Sequence, residues 1–402
     1  MIAVEEALAR ILAAVQPGPR EVVHVTAAHR RVLAEDLAAR RSQPPLAVSA
    51  MDGFAVRAED ADRAGCVLQL VGEVPAGRMF GRPLAAGEAV RIFTGAPLPE
   101  GADAILIQEH ARLEGRQVVV ERPVERGRYV RPAGLDFERG WVGLRAGTRL
   151  DARALGLAAA MGHAWLSVRR RPRVAILSTG DELVPPGETP GGTAIVATNG
   201  LTFAALVEAW GGEPVDLGIA PDDPSKLRAA LLEARAVDFI VTSGGASVGS
   251  YDLVQATAAD LGLELAFWKV AMRPGKPLIF GRLQGIPFLG FPGNPVSSTV
   301  CAIVFLRAAI RTALGLPAEL PYSEAVLDRD LGANDERQDF LRANFVAGAE
   351  GGWRVRPAPL QDSSMFATLA RADVLLVRPP FDPPRQAGER VRILELERVL
   401  AG

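Results

Sequence analysis

The pattern that most constrains this sequence is an alternation of short apolar runs and amphipathic segments between residues 173 and 315. The apolar runs predict strands at 173–177, 214–219, 238–242, 264–270, 278–280 and 287–290. The segments between them have helical spacing, and their predicted caps are Asn199, Asp223, Asp252 and Asn294. Such alternation predicts a mostly parallel sheet with helices on both faces, where ligands bind beyond the carboxyl ends of the strands.

The rest of the chain has a different pattern of predicted secondary structure. An amphipathic helix is predicted at 4–15, and its apolar face must pack on its own domain or on a second subunit. Short strands separated by Gly and Pro turns follow at 46–140 and return after residue 320. We therefore predict a multidomain protein with a central doubly wound α/β domain at 173–320, a β-rich inserted domain and a small, barrel-like C-terminal β domain at 321–402.

Composition narrows the class of protein. The net charge of -2 argues against a general nucleic-acid binder. The N-terminus has no basic region typical of a signal peptide, and no apolar run is long enough to span a bilayer. Cys66 and Cys301 are not at metal-ligand spacing, so neither a disulfide framework nor a zinc site is predicted. We expect a cytoplasmic protein without nucleic-acid or membrane partners.

A glycine-rich turn follows the third strand of the α/β segment, at residues 243–249 (SGGASVG). Glycine permits positive φ and close backbone approach, and successive free N–H groups can bind an oxyanion. The candidate ligand-binding residues are Ser243, Gly244, Gly245, Ser247 and Gly249. The alternative is a tight turn that needs glycine only for its geometry.

A basic loop lies at residues 268–277 (WKVAMRPGKP) and carries Lys269, Arg273 and Lys276. The chain has only three lysines, the third being Lys226, so two of them are concentrated in this loop. A lysine ammonium is a compact charge suited to phosphate. The loop lacks the first Gly and the Ser/Thr of a Walker A motif. A phosphate-binding loop and a merely solvated basic loop both remain possible.

Acidic residues follow three strands of the same segment. Asp181 and Glu182 follow the first strand, Asp222 and Asp223 the second, and Asp252 the glycine-rich turn. Carboxylates at one sheet edge suit Mg²⁺ bridging to ligand phosphates. Asp223 and Asp252 could equally be helix caps alone.

Three further segments complete the candidate sites. The loop 291–295 (FPGNP) faces the same sheet edge with Pro292, Gly293, Asn294 and Pro295, although helix capping alone would explain it. Segments 49–56 (SAMDGFAV) and 94–103 (TGAPLPEGAD) have the composition of structural turns.

Taken in order, segments 49–56, 94–103, 178–183, 243–249, 269–277 and 291–295 resemble those of the molybdopterin molybdenumtransferases, the family that includes the E domain of gephyrin. The resemblance implies that molybdenum from molybdate is inserted into adenylylated molybdopterin with release of AMP, with Mg²⁺ as cofactor. It also implies an elongated homodimer in which residues 1–45 and 141–172 form a helical and linker domain, with the β-rich domain of 46–140 inserted. Possible further partners are the molybdopterin adenylyltransferase and the enzymes that accept the cofactor.

The resemblance assigns roles by position. It predicts metal ligands at Asp181, Glu182, Asp222 and Asp252, and catalytic roles for Asp52, Glu182, Asp222, Asp252, Lys269 and Arg273. The predicted substrate-binding residues outside the glycine-rich turn and the 291–295 loop are Thr94, Arg131, Asp136, Lys276, Arg342 and Ser363. Asp52, Thr94, Arg131 and Asp136 would reach across from the β-rich domain of a second subunit.

Two residues depart from the family pattern. Arg273 stands where many members have Lys, and Phe54 where Tyr is common. An alternative activity is molybdopterin adenylylation, and an alternative class is an anion-binding scaffold without turnover.

Overall fold

The structure is a computed structural model that describes residues 1–244, 251–348 and 351–401. The chain divides into two compact units. The first comprises residues 1–21, 30–34 and 167–402, and the second comprises residues 22–29 and 35–166. The predicted domain boundaries, including the union of 1–45 with 141–172, stay predictions.

A six-stranded sheet forms the centre of the first unit and confirms the predicted doubly wound α/β domain. Its first four strands pair in parallel and its last two are antiparallel. The strand order is Glu213–Ala220, Arg173–Thr179, Phe239–Ser243, Ile286–Phe291, Pro277–Leu283 and Leu263–Lys269.

Helices cover both faces of this sheet because each central strand is apolar on both sides. In Arg173–Thr179, Val174 and Ile176 join one core cluster, whereas Ala175 and Leu177 join another. The first cluster contains helices Val4–Ala13, Asn199–Ala209 and the segment Pro295–Ala313, and the second contains Pro224–Glu233 and Tyr251–Asp260.

The helical segment Pro295–Ala313 consists of Pro295–Cys301, a π-helical turn Ala302–Leu306, and Arg307–Ala313. It is long and apolar enough to cross a membrane, but 89% of it is buried inside the protein. Helix Val4–Ala13 packs on this segment through Val4, Ala7 and Ile11. The apolar face predicted at 4–15 is thus covered by the helix's own unit.

The C-terminal region forms a closed five-stranded barrel, as predicted. Its strands, in order around the barrel, are Gln338–Ala347, Trp353–Pro357, Ser323–Leu327, Arg390–Glu395 and Val374–Arg378. Strand Met272–Arg273 of the α/β domain adds to the edge of Gln338–Ala347 in parallel. Leu375 and Val377 join the core cluster of the α/β domain, so the barrel and that domain share one apolar core.

The second unit contains a six-stranded β-rich sheet and the helix Ala152–Ala160, which Asp151 caps as predicted. The strand order is Ala104–Ile107, Gly53–Val56, Glu88–Ile92, Val67–Val74, Gln117–Val120 and Ala111–Glu114. Leu68, Leu106 and Val118 are buried in its core.

One predicted cap was wrong in its position, and another has the predicted position without a capping hydrogen bond. Asn199 is the first helical residue rather than the cap, a position held by Thr198. Asn294 occupies the N-cap, but its side chain makes no capping hydrogen bond. Asp223 caps Pro224–Glu233 as predicted, accepting from the N–H groups of Ser225 and Lys226. The two asparagines instead make hydrogen bonds at the cavity described below.

Several short helices and strands of the structure were not predicted from the sequence. They are helices Phe366–Ala370 and Leu396–Leu400 and strands Ser323–Leu327 and Met272–Arg273. The remaining short strands are Arg20–His24, Leu37–Ala38, Val48–Ser49, Val130–Arg131, Val142–Leu144, Trp165–Arg169, Leu183–Val184 and Ile195–Val196.

Candidate functional site

A cavity of about 1030 Å³ lies at the carboxyl ends of the parallel strands in the first unit. Ligands in open α/β sheets bind at this edge. The C-terminal barrel completes the wall with Arg337 and residues 361–364. The predicted site residues that line the cavity are Glu182, Ser243, Gly244, Arg273, Lys276, Pro292, Gly293, Asn294, Pro295 and Ser363.

Asn199 organises the floor of this cavity. Its Nδ2 donates to Ser243 Oγ and to the carbonyl oxygen of Gly293, both at 2.7 Å. One side chain therefore ties the glycine-rich turn to the 291–295 loop. Sequence reasoning treated Asn199 as a helix cap and missed this role, because a capping and a bridging asparagine look alike in sequence.

Gly244 is required by the backbone at this floor. Its φ is +108°, and a Cβ on it would lie 2.0 Å from the carbonyl oxygen of Thr179. No side chain fits there, so the bare backbone of Gly244 forms the cavity surface. The candidate residues Gly245, Ser247 and Gly249 lie outside the described residues.

Three carboxylates lie together next to this floor. The Asp222 N–H donates to Asp181 Oδ1 at 3.0 Å. Burial, together with the negative charges of Asp181 and Glu182, raises the pKa of Asp222. Asp222 Oδ1 is buried without a hydrogen-bond partner among the described residues. The cluster thus concentrates negative charge around Asp222. The fourth predicted metal ligand, Asp252, lies in helix Tyr251–Asp260, and its side chain is outside the described part of the structure.

Replacing Asp222 with asparagine is expected to stabilise the fold at neutral pH. Because the pKa of Asp222 is raised in the folded state, ionisation costs stability as pH rises from the ordinary value of 3.8 through the folded pKa. The neutral amide removes that cost, so the melting temperature should rise at pH 7 by about 2 °C. Below pH 3.8 the two proteins should melt alike. Calorimetric melts at both pH values test this, and a lower melting temperature at pH 7 would contradict it.

The three cations of the basic loop have different surroundings. Lys276 is exposed in the cavity wall, and its ammonium makes no hydrogen bond or ion pair with any described residue. Arg273 also lines the cavity, but its guanidinium is paired with Asp339 and Asp335 of the barrel. Lys269 lies outside the cavity lining, with its Nζ 3.5 Å from the centre of the Trp268 ring.

Ser363, in the C-terminal region, makes a direct hydrogen bond to a residue of the α/β domain in the cavity lining. Asn294 Nδ2 donates to Ser363 Oγ at 2.9 Å, and both residues line the cavity. Arg342 does not line it. Its side chain is buried and donates to the carbonyl oxygen of Asp362, and burial lowers the pKa of Arg342. Arg342 therefore supports the segment that carries Ser363.

The second unit holds the other four predicted site residues. The N–H and Oγ1 of Thr94 donate to Asp52 Oδ1 at 2.7 and 2.9 Å. These hydrogen bonds, the backbone one first, lower the pKa of Asp52. Arg131 and Asp136 line a separate cavity of about 550 Å³ in this unit. Phe54 is buried in the apolar core of the β-rich sheet.

No ready-made metal site is present in the described part of the chain. Within residues 1–244, 251–348 and 351–401, no group of three or more His, Cys, Asp or Glu side chains is arranged to hold a metal ion. The Asp181, Glu182 and Asp222 cluster is close enough to raise a pKa but is not arranged as a closed coordination shell.

This architecture defines a multidomain α/β protein with a cavity lined by one edge of its parallel sheet and by a C-terminal barrel. Residues 2–162 match the MoeA N-terminal region (domain I and II), residues 175–312 a probable molybdopterin binding domain, and residues 324–396 the MoeA C-terminal region (domain IV). The chain belongs to the molybdopterin molybdenumtransferase family and is a transferase with a role in molybdenum cofactor biosynthesis.

Similarity to relatives extends over almost the whole chain. The molybdopterin molybdenumtransferase of Haemophilus influenzae is 33% identical over 399 residues and covers 98% of both chains. That of Nostoc sp. is 35% identical, covering 94% of this chain and 88% of its own. The crystal structure of the molybdopterin biosynthesis moea protein from Pyrococcus horikosii superposes with a TM-score of 0.87 at 30% identity, covering 98% of this chain and 99% of the other.

Proposed function

We propose that this chain inserts molybdenum from molybdate into adenylylated molybdopterin and releases AMP. The observation that carries the proposal is the cavity at the sheet edge. There the ammonium of Lys276, which has no partner among the described residues, shares a wall with the backbone at Gly244 and Gly293. A cation and bare backbone suit phosphate and molybdate, which are both tetrahedral oxyanions. The names of the relatives are in accord with these substrates.

The chemistry expected at this site is electrostatic. Breaking the phosphate link to AMP spreads negative charge over oxygen atoms, and preorganised cations stabilise such charge without further rearrangement. Lys276 supplies this charge from the cavity wall. Asn199 keeps Ser243 and Gly293 at fixed positions in the cavity lining. This chemistry needs no Cys or His nucleophile, and the described cavity lining contains neither residue type.

Mg²⁺ fits the carboxylate cluster in its donor chemistry. Asp181, Glu182 and Asp222 are hard oxygen donors, and the unpartnered Asp222 Oδ1 is a buried acceptor without a proton donor among the described residues. Mg²⁺ is usually held by one or two carboxylates with the remaining positions filled by phosphate oxygens and water. Bound there, it would neutralise charge on the departing phosphate. The proposal includes Asp252 as a further ligand.

The decisive measurement is AMP release from adenylylated molybdopterin by the full chain. Release should require molybdate or tungstate, tested side by side, and should stop when Mg²⁺ is chelated. The Asp252→Ala and Lys269→Ala variants should fold but fail to release AMP. ATP-dependent product formation on metal-free molybdopterin would indicate adenylylation instead. Tight binding of the adenylylated ligand with no AMP release under any metal would indicate a scaffold. Normal release in both variants would overturn the roles given to Asp252 and Lys269.

The proposal also covers the assembly and its location. The family resemblance implies a homodimer, with the molybdopterin adenylyltransferase and cofactor-accepting enzymes as further partners, and the composition of the chain favours the cytoplasm. Light scattering of the purified protein tests the dimer directly.

A further inference from the structure

The guanidinium group of Arg273 is held by three side chains of the C-terminal barrel. Its Nε donates to Asp339 Oδ1 at 2.8 Å, and its Nη2 donates to Asp339 Oδ2. This is the two-point geometry that a planar guanidinium offers to a carboxylate. Nη2 also donates to Asn334 Oδ1 at 3.1 Å, and Nη1 to Asp335 Oδ2 at 3.2 Å. Every nitrogen of this guanidinium is therefore engaged within the chain.

The backbone makes the same connection. Met272–Arg273 pairs in parallel with Gln338 and Asp339, and the Gln338 N–H donates to the carbonyl oxygen of Ala271 at 2.9 Å. The Asp339 side chain is only 2% exposed. A carboxylate so deeply buried is costly unless it is paired, so Asp339 requires a cation at the position of Arg273.

The charges around Arg273 balance one another. Arg273 and Arg337 both line the cavity, and they face Asp335 and Asp339. The hydrogen bond from the Arg337 side chain, assisted by the charge of Arg273, lowers the pKa of Asp335 to about 2, so this carboxylate is ionised at neutral pH. The two arginines therefore bring no net charge to the cavity. Lys276, three residues further along the same loop, keeps its charge available.

We infer that Asp339, assisted by Asp335 and Asn334, is a positioning residue. It neutralises Arg273 and fixes the loop 272–277, so that Lys276 is the cation that meets the anionic ligand. Arg273 thus anchors the loop rather than holding phosphate. This inference rests on the proposed function for its turnover readout, but its central claim concerns which cation binds an oxyanion.

Molybdate binding to the full chain, measured by titration calorimetry, tests that claim without turnover. Asp339→Asn removes one of the two negative charges that face Arg273 and Arg337, so the cavity wall gains net positive charge. The Kd for molybdate should therefore fall about three- to tenfold. Lys276→Met should raise this Kd at least about tenfold, since it removes the proposed binding charge. Glu324→Gln is the matched control, because it breaks an exposed barrel ion pair with Arg390 and should leave the Kd unchanged.

Arg273→Lys is the second variant, which keeps the charge at this position but loses the two-point geometry. We expect its kcat for AMP release to fall about tenfold without an increase in KM, because the loop is less well positioned while Lys276 remains. Unchanged or weaker molybdate binding in Asp339→Asn would overturn the inference, and so would a raised KM in Arg273→Lys. If the wild-type chain releases no AMP, the proposed function fails, and the Kd comparison still decides the role of Arg273.

Discussion

Replacing Lys276 with methionine is expected to lower kcat/KM for AMP release about 100- to 1000-fold, the usual cost of removing one preorganised electrostatic donor. The ammonium of Lys276 lies exposed in the cavity wall and has no partner among the described residues. Methionine retains most of the side-chain length, so the change removes charge more than volume. Steady-state AMP release with adenylylated molybdopterin and molybdate measures the effect.

The chain offers a matched control in Lys226→Met. Lys226 lies on helix Pro224–Glu233 and does not line the cavity. It is one of only three lysines, so the two variants share the same chemical change. Lys226→Met should keep wild-type kcat/KM. Equal activity in the two variants would show that Lys276 does not meet the ligand.

Replacing Gly244 with alanine is expected to cost at least ~3 kcal/mol in the free energy of unfolding, by backbone strain combined with a buried clash. The φ of +108° lies in a region that is essentially reserved for glycine, and the new Cβ would lie 2.0 Å from the Thr179 carbonyl oxygen. The strand end would have to move, which would also displace Ser243. Urea unfolding followed by circular dichroism measures the loss.

Gly293→Ala is the comparison for stability. The nearest atom to a Cβ there would be the Gly244 Cα at 3.5 Å, an ordinary van der Waals distance. It should change the free energy of unfolding by less than about 1 kcal/mol. Similar losses in Gly244→Ala and Gly293→Ala would show that the conformation of Gly244 is not the source of its effect.

The α/β domain could be predicted from the sequence because the apolar pattern within each strand indicates which of its faces are buried. In strand Arg173–Thr179, successive apolar residues point to opposite faces, so a continuous apolar run already requires helices on both sides. The position of the cavity follows, because the loops after parallel strands meet at one sheet edge. The C-terminal β domain was predicted from a different local pattern, the short strands that return after residue 320.

The partners of individual side chains could not be predicted in this way. Arg273 and Asp339 are 66 positions apart, and their ion pair exists only because Met272–Arg273 adds to the barrel. In the sequence, Arg273 and Lys276 are equivalent members of one basic loop. Only the fold shows that Arg273 is paired with barrel carboxylates, whereas Lys276 has no partner among the described residues.

The same limit applies to Asn294 and Ser363. A helix that begins with Asn and Pro predicts a cap, whereas Asn294 instead bonds to Ser363 of the barrel. Segment 361–364 has no periodicity that marks it as part of a cavity wall, and its position depends on the buried Arg342. A residue-by-residue resemblance was the only signal for Ser363.

The strand Met272–Arg273 limits how the C-terminal barrel could be exchanged between this chain and its relatives. This strand belongs to the α/β domain but pairs with the edge of the barrel. The buried carboxylate of Asp339 is paired with Arg273 of the same strand. A recombinant that received a foreign barrel alone would combine a loop and a carboxylate that had not diverged together. A chimaeric protein should therefore tolerate a foreign barrel better when residues 272–277 are transferred together with it.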